Sequence, residues 1–60
     1  MKTMNHNEYP KRLRNKTEAD LRFIIADATE AVRANPTGEN VGYYLDEVHY
    51  AAAELRRRVA

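Results

Sequence analysis

The stretch NPTG, residues 35 to 38, constrains this 60-residue chain more than any other feature. Asparagine disfavours continuation of a helix, proline pushes the residue before it towards extended backbone, and glycine relaxes the turn that follows. Whatever periodic structure lies on either side must fold as two separate pieces joined by a short connection.

Both sides carry helical periodicity. At about 100° per residue, Leu21, Ile24, Ile25, Ala28, Ala31, Val32 and Asn35 share one broad stripe, and Arg22, Asp27, Glu30 and Arg33 lie away from it. Thr17 and Asp20 are spaced for a reciprocal cap, each side chain serving the other's backbone N–H, and Glu18 and Asp20 place negative charge where the helix dipole favours it. A helix is expected over residues 18–34. Beyond the turn, Val41, Tyr44, Leu45, Val48, Ala51, Ala52, Leu55 and Val59 recur at intervals of three and four. This predicts a second helix over about 38–58, capped by Thr37 in preference to Asn40, with Arg56, Arg57 and Arg58 at its carbonyl end. Gly42, early in that helix, is costly there unless its first turn frays or another helix approaches closely.

A connection this short leaves two helices antiparallel and adjacent. The expected fold is therefore all-α: an antiparallel two-helix hairpin over residues 17–60, preceded by a flexible arm over residues 1–16. The facing stripes are rich in alanine, so the hairpin is tight and thin. A chain of this size buries only about 60% of the surface its unfolded form exposes, and without cysteine it has no disulfide to compensate. Two amphipathic rods leave the flanks of both stripes wet. The expectation is self-association, as a homodimeric four-helix bundle of coiled-coil type.

Charge divides the chain at the same boundary as the pattern. Net charge is +1, but residues 1–16 set Lys2, Lys11, Arg12, Arg14 and Lys16 against Glu8, whereas residues 17–60 set five arginines against eight carboxylates. An acidic body thus carries a basic arm, with a second basic cluster at the C-terminal end.

Aromatic rings on the wrong side of the helices suggest a partner. Tyr43 and Tyr50 are seven residues apart and share a direction, with Glu47 and Glu54 between and beside them; Phe23 points away from the Leu21–Ile25 stripe. Met4, Tyr9 and Leu13 of the arm are available to cover Phe23. Rings flanked by carboxylates combine contact area with a charge code, so Phe23, Tyr43, Glu47, Tyr50 and Glu54 are the candidate protein-interaction residues. The alternative is a small nucleic-acid-binding accessory protein that uses Lys11, Arg12, Arg14, Lys16, Arg56, Arg57 and Arg58 on phosphates.

Signatures of catalysis are weak. Asp46 and His49 stand three residues apart, a spacing that can serve a metal on a helix, but His49 sits at the border of the apolar stripe and Asp46 further out, whereas bundle metal ligands must point inward. No glycine-rich phosphate loop is present. The sequence is therefore read as a non-enzymatic interaction module of adaptor or inhibitor type, with no catalytic or metal residues, no cofactor and no small-molecule substrate. The N-terminal residues lack the apolar run of a signal peptide or membrane span, and the carboxylate-rich polar faces suit neither membrane surface nor anionic lipid, so a cytoplasmic location is expected.

Overall fold

A computed structural model describes residues 3–59 and shows an all-α fold of three helices, α1 (Tyr9–Leu13), α2 (Glu18–Ala34) and α3 (Val41–Val59). Helix α2 has the expected bounds, and its cap is the expected one: Asp20 N–H donates to Thr17 Oγ1 at 3.0 Å, and Thr17 N–H donates to Asp20 Oδ2 at 3.4 Å. The chain then leaves α2 through Asn35, whose N–H still donates to the Ala31 carbonyl.

Helix α3 starts three residues later than expected. The Asn40 carbonyl accepts the first helical bond, from Tyr44 N–H at 3.1 Å, so Asn40 and not Thr37 occupies the cap position. Residues 35–40 instead form consecutive turns, Gly38 N–H to the Asn35 carbonyl and Val41 N–H to the Gly38 carbonyl. A Cβ at Gly38 would collide with the Asn35 side chain, which explains glycine there without any left-handed backbone. Gly42 differs, because a Cβ built on it meets nothing within 4 Å. Gly42→Ala is expected to stabilise the chain by about 0.5–1 kcal/mol, raising the thermal midpoint by roughly 5 °C, as calorimetry would show.

Helices α2 and α3 form the main packing pair, as the hairpin reading required. The unexpected element is α1, which lies in the stretch read as a loose arm and packs on the other flank of α3. Asn5 organises its approach: its side-chain oxygen accepts from the N–H groups of Asn7 and Glu8, and its carbonyl accepts from Tyr9 N–H. Pro10 then sits in the first turn, where a missing N–H does no harm. Five residues cannot sustain a helix alone. Docking sustains it: Leu13 is 1% exposed and shares a core cluster with Leu21 and Ala51, and Tyr9, Ile24, Ile25, Tyr50 and Leu55 pack around them. Lys2, counted with the arm, lies outside the described residues.

Among the described residues only Leu13, Leu21, Ala28 and Ala51 are buried apolar side chains, and two of those are alanines. The Cα radius of gyration is 11.5 Å, against about 10.4 Å for a compact domain of this length. Accessible surface is 4491 Å², about a tenth above the roughly 4,000 Å² typical of a compact monomer of this mass. Thinness, expected of two helices, persists with three.

Candidate interaction site

Helix α3 sets the geometry of both candidate surfaces. At about 100° per residue, Tyr43, Glu47, Tyr50 and Glu54 fall on one flank of it, as the sequence indicated. The N-terminal segment lies over that flank. Tyr50 Oη and His6 Nδ1 are 2.7 Å apart, sharing a hydrogen bond whose direction follows the imidazole tautomer. The rings of His6, Tyr9 and His49 stand 5.8, 6.0 and 5.4 Å from the Tyr50 ring at tilted or edge-on angles, geometries that aromatic quadrupoles favour. The Tyr9 hydroxyl donates to Glu47 Oε2 at 3.1 Å. Burial, and then the negative charge of Glu47, push the Tyr9 hydroxyl well above its usual ionisation range, so the bond persists into strongly alkaline solution.

Glu54 anchors the other end of the same flank. It is 7% exposed, covered by its own partners: Arg57 donates Nε to Oε1 at 3.0 Å and Nη2 to Oε2 at 2.7 Å, and Arg58 donates Nε to Oε2 at 2.8 Å. These hydrogen bonds hold the Glu54 carboxyl down at about 2. Arg58 also reaches out of α3. Its Nη2 donates to the carbonyls of Leu13, Arg14 and Lys16 at 3.1, 3.4 and 2.7 Å, closing off the carbonyl end of α1 and the turn after it. The terminal cations were expected to serve the carbonyl end of their own helix. One of them serves another helix instead, because α1 ends beside it.

The remaining candidate residues divide by position. Tyr43 is half-buried, edge-on to Tyr44 at 5.9 Å. Phe23 is 69% exposed, and Met4, Tyr9 and Leu13 do not shield it, since the segment that carries them packs on α3. Lys11, Arg12, Arg14, Lys16 and Arg56 are exposed, Lys11 and Arg12 in the last turn of α1. Leu45 and Val59, expected in the seam, are 54% and 81% exposed.

Sequence reasoning did not foresee that His6, Tyr9 and Leu13 would engage α3. The only local hint was the four-residue spacing of Tyr9 and Leu13, one helical turn apart. His6 Nε2 also lies 3.9 Å from Asp46 Oδ2, with the two side chains 59% and 42% exposed. That pair stands in the open. A separate cleft of about 230 Å³ at the interhelical turn is lined by Ala31, Asn35, Gly38, Glu39, Asn40, Val41 and Tyr44 and contains neither partner. Among the described residues, no three histidine or carboxylate side chains gather as a metal site, and no helix is long and apolar enough to cross a membrane. Comparison with protein families, with curated proteins and with solved structures finds no match to this chain.

Proposed function

We propose that the chain is a non-enzymatic interaction module whose working form is a pair of identical chains. The supporting observation is an apolar edge of α3 that the fold does not cover. Val41, Leu45, Val48, Ala52 and Val59 lie within about 60° of one another around the helix. Leu45 and Val59 are exposed and the other three half-buried. The deepest positions of α3 face elsewhere: Ala51 sits in the core with Leu13 and Leu21, and Glu54 lies under Arg57 and Arg58.

A second copy is the occupant this edge fits best. A two-fold pairing lets one patch serve as both halves of an interface, so the uncovered stripe needs no complementary surface elsewhere. The stripe runs from Val41 to Val59, about 27 Å of helix, so two copies can lie side by side along its whole length. Phe23, on the far side of α2 with Asp20, Asp27 and Glu30 at neighbouring helical positions, is then left to meet a basic protein surface.

Sedimentation equilibrium across a concentration series tests the pairing. The expected result is a dimer at micromolar concentration and a Leu45→Glu chain that dissociates at least 30-fold more readily, the effect of removing an interface residue worth about 2 kcal/mol. Phe23→Ala should leave the mass unchanged. A monomer of unaltered mass at the highest concentrations would remove the basis for this assignment.

A further inference from the structure

The Arg58 bridge does more than fasten α1. It sets Arg58, and Arg57 beside it on Glu54, against the basic stretch Lys11, Arg12, Arg14 and Lys16, more than forty residues away in sequence. Arg56 lies about 200° from Arg58 around α3, on the side of Leu45, and takes no part. Glu54, at the junction, already accepts from two guanidinium groups, and Glu8 stands at the opposite end of α1 from Arg14 and Lys16. The acids at the start of α2 are engaged with their own helix, Glu18 with Arg22 at 3.8 Å and Asp20 in the cap. Lys11, Arg12, Arg14 and Lys16 are left exposed, with no ion pair among the described residues, and the Arg57 side chain stays 57% exposed beside Glu54.

We propose that this composite basic end is a binding site for the phosphate backbone of double-stranded nucleic acid, with α1 and the last turn of α3 contacting it together. The groups present are ammonium and guanidinium. They match phosphate oxygens, Arg in forked geometry, and read charge density in preference to base sequence. A duplex presents one negative charge per about 1.7 Å of axis, so a patch with several fixed cations can engage several phosphates at once. Anionic lipid is a poorer fit, because the exposed residues of this end, Lys11, Arg12, Arg14, Asn15 and Lys16, include no apolar side chain to enter a bilayer. The site stands apart from the pairing proposed above, which Leu45→Glu tests separately.

Fluorescence anisotropy with a short labelled DNA duplex tests the site on the full chain. Affinity should fall steeply with salt, with a log–log slope of roughly −3 to −5 for three to five phosphates contacted. Arg12→Gln and Arg57→Gln, one from each helix, should each weaken binding several-fold and lower the slope by about 0.9, while Arg56→Gln, on the far side of α3, should change it less. Arg58→Gln removes the same charge as Arg57→Gln and also the bonds to the Leu13, Arg14 and Lys16 carbonyls, so it should weaken binding more. Should Arg58→Gln fail to fold, the Arg12 and Arg57 variants decide alone. An Arg57→Gln chain that binds as the parent does would mean the arm acts by itself and would overturn the composite site. Binding that ignores salt, or that is as tight to poly-glutamate or to phosphatidylserine vesicles as to the duplex, would overturn the nucleic-acid assignment.

Discussion

Leu13→Ala is expected to lower the thermal midpoint of the whole chain by on the order of 10 °C or more, in one cooperative transition. Leu13 is 1% exposed and belongs to the same cluster as Leu21 and Ala51. Truncating a buried leucine to alanine costs about 2–5 kcal/mol, the lost transfer energy plus the cavity left behind. A domain of this length has only some 3–9 kcal/mol of stability in total. A segment that merely trailed from a finished hairpin could be altered without consequence for melting. Leu13 instead supplies one of the two fully buried large side chains among the described residues, so its loss removes a large share of the core. Thermal unfolding followed by ellipticity at helix wavelengths checks this, with Leu13→Ala beside Lys11→Ala, an exposed position in the same short helix. Equal midpoints for the two variants would show that α1 is an appendage and not part of the core.

The second large effect is electrostatic and depends on pH. Glu54 ionises at about 2 in the fold against 4.5 when free. A carboxyl depressed in this way stabilises the fold fully above the free value. The contribution drains away as pH falls from 4.5 towards about 2, because the unfolded chain takes up the proton first. Denaturant unfolding at a series of pH values should therefore show stability declining through that window. Glu54→Gln should be markedly less stable at neutral pH, since an amide has one acceptor where three guanidinium donors converge and brings N–H groups of its own towards them. Its curve should also be flatter below 4.5. The other carboxylates are common to both chains, so the difference between the curves reports Glu54. Parallel curves would mean the Glu54–Arg57–Arg58 cluster contributes nothing to holding α1 in place.

Local rules recovered the parts of the fold that local rules govern. The reciprocal cap of Thr17 and Asp20, both ends of α2, the turn imposed by Asn35 and Pro36, and the packing of α2 on α3 all rest on contacts within a few residues or on a stripe several turns long. The start of α3 was legible only as a choice between Thr37 and Asn40. Both can cap, and the winner depends on how the loop spans the gap, with Gly38 folded tightly against Asn35. Helix α1 was not legible. Five residues give barely more than one turn of periodicity, too few to register as a stripe, and the bonds that finish its two ends come from Asn5 and Arg58, far apart in the chain.

The candidate residues show the same division. Phe23 was recognisable as an outward ring from its angle on α2, and it is exposed. Tyr50, Glu47 and Glu54 were recognisable as one flank of α3, but what meets that flank was not, because His6, Tyr9 and Arg58 reach it through tertiary contacts. By itself the sequence determined two amphipathic helices, the turn between them and the sign of charge on each segment, all properties carried by neighbouring residues. The tertiary structure alone decided that the basic arm folds back as a third helix, that the apolar stripe of α3 is covered along one edge and exposed at Leu45 and Val59, and that Arg58 meets the basic stretch at the end of α1. Those outcomes turn on which of several competing surfaces Leu13 and Arg58 reach, and only the closed chain settles that competition.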